Sequence, residues 1–318
     1  MKSAFFRITA PAILFFLMVT QSSLAEDAAN GSDFPPALTH WKAHPENPVF
    51  VGGGRGAWDE RIRERGYILR EGDQWHFWYT GYNLAQNDLR RLGYATSQDG
   101  VHWKRVSTRP LLENDWVEDM HVLKHDGKFI MVAEGRGDIA HSLISDDGIH
   151  WTDYRKLDVR QTNGRPIEAG PYGTPTLFLN NGLWYLFYER GDRGVWLATS
   201  KDRKVWTNVQ EDPVIELGPG AYDRYAIALN QVIKIYNRYY AVYHANADPQ
   251  WRGDWRMCLA VSDDLVHWEK YPGNPILEGD FSSGQLVPDG NGFRLYTPHP
   301  QLRLFYPFHS GQSMLKQK

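Results

Sequence analysis

The chain has 318 residues, a formal charge of −3 from 35 Lys and Arg against 38 Asp and Glu, and a single cysteine, Cys258. That charge, with its basic residues scattered, excludes the electrostatic footprint of a nucleic-acid binder, and one cysteine excludes an intramolecular disulfide. Aromatic residues make up 14%, with 13 Trp and 17 Tyr, a composition suited to β-sheet packing and to sugar stacking alike.

Lys2 and Arg7, an apolar stretch from Ala10 to Val19, and Ser23, Leu24 and Ala25 form the pattern of a cleavable export leader. Residues 1–25 are therefore expected to be a signal peptide, and 26–318 a single domain that is secreted or periplasmic. The apolar run is shorter than the roughly 20 residues a membrane-spanning helix needs, so no membrane span is expected.

Beyond the leader the chain repeats. Ser97-Gln-Asp-Gly-Val-His-Trp103 and Ser145-Asp-Asp-Gly-Ile-His-Trp151 are near copies, and Ser200 to Trp206 and Ser262 to Trp268 keep the Ser-x-Asp spacing and the final Trp. Seven residues after the Trp stand Pro110, Pro213 and Pro275, with Asp158 as the exception. His40, Trp41, Asn47 and Pro48 match His267, Trp268, Asn274 and Pro275, so the N-terminus holds an orphan half-copy.

Each copy is preceded by two short apolar runs split by a turn. They are Tyr67–Leu69 and Trp75–Tyr79, His121–Leu123 and Phe129–Val132, Thr176–Leu179 and Trp184–Tyr188, Gln231–Ile233 and Tyr239–Tyr243, and Gln285–Val287 and Phe293–Tyr296. Gly72-Asp73, Asp126-Gly127, Asn181-Gly182 and Asn291-Gly292 suit the tight hairpins between them. Small antiparallel sheets of this kind bury their faces by stacking radially. The expectation is an all-β, five-bladed β-propeller, closed by pairing of the N- and C-terminal segments. In that reading Ser and Asp brace a turn, and Trp fills the gap between blades.

These motifs, with the Trp75 to Gly81 run Trp-His-Phe-Trp-Tyr-Thr-Gly, resemble the five-bladed propeller glycosidases of glycoside hydrolase families 43, 32 and 117. The resemblance implies an acid, a base and a third, tuning carboxylate at the channel mouth; a calcium ion in the central channel is common there, although no motif here specifies one and no cofactor is expected to be required. The families' Asp-Pro at the start of the first blade is absent. Ten residues before the second-strand aromatic stand Arg65, Asp119, Thr174, Leu229 and Ser283 in turn, so only Asp119 matches a family carboxylate.

Because glycoside hydrolysis couples protonation of the leaving oxygen to activation of water or attack on carbon, Asp59 is assigned as general base. Asp119 is assigned as the orienting and tuning carboxylate, and Glu168 as acid with a raised pKa. Arg63, Arg65, His121, Glu134, Tyr172, Glu189, Arg190, Asp223, His244, Gln285 and His299 are the expected substrate-binding residues. Strand alternation puts Arg61, Arg63 and Arg65 on one side, where a uronate or sulfated sugar would pair with them. The expected function is a glycoside hydrolase that trims a terminal sugar from a plant or algal oligosaccharide or polysaccharide, possible anionic character included. A catalytically silent carbohydrate-binding propeller and a glycoside phosphorylase are the alternatives.

Overall fold

The computed structural model describes residues 33–290 and 292–308; the expected leader lies outside them. Five antiparallel sheets form the blades. Blade 1 runs from its inner strand Arg61–Glu71 through Gln74–Asn83 and Asn87–Ser97 to Lys104–Arg105. Blade 2 comprises Glu118–His125, Lys128–Gly135, Ile139–Ser145 and Trp151–Lys156. Blade 4 comprises Ala226–Ile235, Arg238–Asn246, Trp255–Ser262 and Glu269–Lys270. Blade 3 (Gly173–Asn180, Leu183–Glu189, Gly194–Ser200 and Val205–Asn208) also takes in Ile215–Glu216 and, parallel to its outer strand, Asp158–Arg160. The exceptional Asp158 therefore opens a strand that crosses from blade 2 to blade 3.

Blade 5 has Gln285–Asp289, Gly292–Thr297 and Arg303–Pro307, and Trp41–Ala43 supplies its outer strand by antiparallel pairing with Arg303–Pro307. The ring closes as the repeat implies. Asn47 binds blade 5 through Leu304, donating from Nδ2 to its carbonyl at 2.8 Å and accepting from its amide at 2.8 Å. Asn274 grips Leu259 of blade 4 identically, at 2.9 Å in both directions. The matching Asn-Pro pairs thus do the same work at the seal and in an intact blade.

The repeated turn is scaffold. In blade 2, Ser145 Oγ accepts from Gly148 N at 2.8 Å, while Asp147 Oδ1 accepts from Ile149 N at 2.9 Å and His150 N at 2.8 Å. The hydrogen bond from His150 and those backbone amides hold the Asp147 carboxyl below its ordinary range. The fourth residue needs a left-handed backbone: Gly100 and Gly148 have φ 73° and 75°, and Arg203 and Leu265 accept the same region at 64° and 73°.

Five apolar clusters fill the five seams between blades, and each takes in one repeat tryptophan: Trp151 between blades 1 and 2, Trp206 between 2 and 3, Trp268 between 3 and 4, Trp41 between 4 and 5, and Trp103 between 5 and 1. The short helix Pro36–Thr39 adds Leu38 to the seam of blades 4 and 5. No helix among the described residues is long and apolar enough to cross a membrane.

Replacing Asn47 by Ala removes both side-chain bonds of the seal, and urea unfolding should register a loss of about 2 kcal/mol. A variant as stable as the parent would show that the seal does not depend on Asn47.

Candidate active site

Inner strands bulge where they approach the axis. Register shifts fall between Arg63 and Tyr67, Glu118 and His121, Gly173 and Thr176, and Leu229 and Gln231. At these bulges Asp119 and Thr174 take φ 47° and 43°, and Ser283 takes 62° at the corresponding place in blade 5. A bulge frees backbone groups from the ladder, and here a buried guanidinium collects them.

Arg65, 1% exposed, donates from Nη1 to Thr176 Oγ1 at 2.6 Å, Leu229 O at 2.9 Å and Asn230 O at 3.2 Å. From Nη2 it donates to Pro175 O at 2.5 Å and to Asp119 O. Burial lowers its pKa to about 10, opposed by the Asp119 charge, so it stays cationic at neutral pH. Below it Gln285 bridges to Ile68 in both directions, at 2.6 and 2.7 Å, and Gln231 to Leu286 at 3.0 and 2.8 Å. The axis is laced shut.

Above this floor lies a pocket of about 270 Å3 to which all five blades contribute. Its walls carry six carboxylates, Glu118, Asp119, Glu134, Asp138, Glu189 and Asp192. Asp119 Oδ1 accepts from Arg65 N at 2.7 Å, and its other oxygen has no hydrogen bond among the described residues. Glu134 Oε2 accepts from Thr174 N at 2.8 Å; Glu189 accepts from Gly173 N at 3.0 Å and, through its other oxygen, from Asp192 N. Glu118 accepts from Trp116 Nε1 at 2.6 Å and faces Arg90 at 3.6 Å.

Crowded, buried carboxylates resist ionisation. Burial first, and then the charges of Asp119, Glu118 and Glu189, hold the Glu134 pKa well above its ordinary value. Burial also raises Glu118 and Glu189 to about 7, Glu189 against two backbone amides that favour its charge. Asp119 is raised by burial too, with Arg65 pulling the other way. His244 goes in the opposite direction: burial, then Arg65, lowers it to about 3, so its imidazole is neutral, with Nδ1 2.7 Å from Asn230 Oδ1.

Of the expected catalytic residues only Asp119 lines the pocket. Asp59 is buried elsewhere, where Oδ2 accepts from Tyr79 OH at 2.9 Å and Arg105 Nε at 2.7 Å. Glu168 sits on an exposed loop, where its carbonyl accepts from Arg190 at 2.9 Å. Among the expected binding residues, Arg63, Glu134, Glu189, His244 and His299 line the pocket. Arg65 and Gln285 belong to the floor, and His121 is buried against Tyr67. Tyr172 is buried with its hydroxyl on Leu157 O, Asp223 is buried on Lys270, and Arg190 holds the Glu168 loop. Nor do the blade 1 arginines share a side, because the bulge after Arg63 breaks the alternation and sends Arg65 to the axis. At the floor of the channel the Arg65 cation stands where a calcium ion would meet a like charge, but above it Glu118, Glu134 and Asp138 bring oxygens within 4.8 Å of one another, a set that could hold a metal ion.

Asp138, Asp192, Arg90, Trp251 and Trp255 also line the pocket and were not anticipated. A signal for the first two was present: Arg136-Gly137-Asp138 and Arg190-Gly191-Asp192 recur after the second strands of blades 2 and 3, with φ 57° and 56° at the aspartates.

No protein-family model matches the chain. An uncharacterized protein of Mycobacterium tuberculosis is 27% identical over 198 residues, 56% of this chain; the match spans only 65% of that relative's length. A 1,2-beta-oligomannan phosphorylase of Thermoanaerobacter is 23% identical over 217 residues, 64% of this chain and 71% of the relative. Among solved structures, a glycosyl hydrolase from Bacteroides ovatus superposes with a TM-score of 0.68 at 14% identity, covering 87% of this chain and 95% of the other. A structure from the GH130 family of mannoside phosphorylases, which contains glycoside hydrolases that target beta-1,2 mannosidic linkages in Candida mannan, superposes with a TM-score of 0.66 at 13% identity, covering 88% and 96%. The chain has the propeller fold of these carbohydrate-active enzymes.

Gly173 explains how Glu134 and Glu189 come together. A Cβ there would lie 2.3 Å from Glu134 Oε2 and 2.6 Å from Glu189 Oε1, so the two carboxylates face each other across a gap only glycine leaves open. Gly173→Ala should push both off their backbone donors and lower turnover of a glycoside substrate by on the order of 100-fold, with the cooperative melt retained. Unchanged turnover would remove this pair from the chemistry.

Proposed function

We propose that the protein is a glycoside hydrolase that releases one sugar from the end of a β-linked mannooligosaccharide. The observation that carries this reading is a blind pocket in which six carboxylates surround one site over a closed floor. A terminal sugar fits such a pocket, whereas a chain threaded through the axis does not. The relatives named as phosphorylases of β-1,2-mannosides support mannose as the first sugar to test. The arginine cluster offers little for an anionic substrate, because Arg65 is spent on backbone carbonyls.

In this mechanism Asp119 gives its proton to the glycosidic oxygen as the bond from that oxygen to the anomeric carbon breaks. Its strained backbone aims it, burial favours its protonated form, and one oxygen takes no hydrogen bond among the described residues. Glu189 takes a proton from the incoming water, whose oxygen bonds to the anomeric carbon. Two backbone amides favour its charged form. Glu134, whose pKa burial and the neighbouring carboxylates hold well above its ordinary value, keeps the cluster from ionising fully and donates to a sugar hydroxyl.

Phosphorolysis is the second reading, favoured by the relatives' names. Against it, a phosphate dianion would have to enter among six carboxylates, and Arg90 is already engaged by Glu118 and lies 4.2 Å over the Tyr82 ring.

Incubated with β-1,2-mannobiose or mannotriose, the protein should release free mannose at a rate that added phosphate does not increase. Mannose 1-phosphate formed only when phosphate is present would establish the other reaction. A base must be ionised to act, so kcat/KM should fall as the pH drops through about 7, the Glu189 value, and Glu189→Gln should abolish that limb. Asp119→Asn should lower turnover of the oligosaccharide by about 10²–10⁴-fold and that of a dinitrophenyl mannoside far less, because such a leaving group needs no proton.

A further inference from the structure

One wall of the pocket is aromatic rather than acidic. It comes from the second and third strands of blade 4 and from the loop that joins them, residues 247–254. Trp251 stands on this loop 45% exposed, although it lines the pocket. Trp255 lies behind it, with ring centroids 6.4 Å apart at 59°, and Trp255 in turn meets His244 edge-on at 5.1 Å. Burial increases along the series from Trp251 through Trp255 to His244, so an aromatic slope descends from the rim towards the carboxylates. Among the described residues the other exposed large aromatics, Tyr225, Tyr236 and Phe308, do not line the pocket.

The loop is braced, not slack. Asn246, fully buried, accepts from Asp248 N at 2.7 Å and donates to Gly253 O at 3.1 Å, tying the two ends together. Asp248 Oδ1 caps Gln250 N at 2.7 Å, and Trp251 N closes the turn on Asp248 O at 3.0 Å. In this turn Trp251 adopts φ 58°, a region that disfavours a bulky side chain and persists only where the surroundings enforce it. A tryptophan kept for packing would be buried, and a residue chosen for the turn would be Gly or Asn. Trp251 is neither.

We infer that Trp251 is the stacking platform for the sugar on the leaving-group side of the scissile bond, making the 247–254 loop an acceptor subsite for a pyranose ring. The inference rests on the glycosidase reading above. A pyranose offers a face of C–H groups that an indole covers, and the carboxylates opposite meet the hydroxyls at its edge. With the terminal sugar against the acidic wall, the next ring leaves the pocket along the slope and lies on Trp251. The protein then discriminates by the group attached to the terminal sugar and prefers oligosaccharides to glycosides with a small leaving group.

The test compares β-1,2-mannobiose and β-1,2-mannotriose with methyl β-mannoside, using wild type, Trp251→Ala and Trp251→Phe with their melting temperatures checked. Trp251→Ala should cut kcat/KM for the oligosaccharides roughly tenfold relative to that for the methyl glycoside, chiefly through KM, and Trp251→Phe should restore much of the difference. The change in indole fluorescence on titration with mannotriose should shrink in Trp251→Ala. Equal loss on all three substrates, or none, overturns the inference. Wild-type protein that binds these sugars without turnover contradicts the hydrolase reading alone, and the fluorescence titration then decides Trp251 by itself. A wild type that binds none of them overturns both.

Discussion

A guanidinium sealed in the middle of the ring is the constraint from which the site follows. The inner strands of a propeller converge on an axis where they cannot all pair with one another, and bulges at that point strand carbonyls away from water. An unmet buried carbonyl is costly, and so is an unpaired buried charge. Arg65 settles both by receiving acceptors from blades 2, 3 and 4 while standing next to Asp119. The same bulges that need it turn Asp119 and Thr174 into left-handed backbone and aim their neighbours at the pocket. Floor and site are one arrangement.

Charge in the molecule is layered in consequence. A fixed cation, Arg65, forms the floor, and an excess of carboxylates lies above it with too few cations to balance them. Burial and this crowding favour the protonated forms, pushing Glu118 and Glu189 up to about 7 and Glu134 well above its ordinary value. Burial, helped by the cation that tempers Asp119, keeps His244 neutral. Hydrogen bonds from Gly173, Thr174 and Asp192 fix the acids in place, so their positions depend on backbone rather than on flexible partners.

The fold was legible because its information is local and repeated. Ser-x-Asp turns brace themselves through contacts two or three residues away, the seam-filling Trp and the Asn-Pro pair recur at matching places in the repeat, and the N-terminal half-copy betrayed the closure. The spacing that singled out Arg65, Asp119, Thr174, Leu229 and Ser283 found the bulges of blades 1 to 4 and the left-handed residue at the corresponding place in blade 5. The site was less legible because a bulge suspends the alternation by which facing is read. Asp59 and Asp223 share one spacing and one fate, each buried against a cation of its blade's outer strand, Arg105 or Lys270. Only tertiary packing separates them from Asp119. Asp138 and Asp192 stand on turns that lead into third strands, beyond the strand ends that the repeat aligns, although the doubled Arg-Gly-Asp marks them.

Crystals of the Glu189→Gln protein soaked with β-1,2-mannobiose would test the site most directly. A terminal mannose should lie over the Arg65 floor, its glycosidic oxygen within hydrogen-bonding distance of Asp119 and its second ring towards Trp251. Sugar found instead at the opposite mouth, beside Gln231 and Gln285, or only on the outer faces of the blades, would contradict this placement and the chemistry built on it.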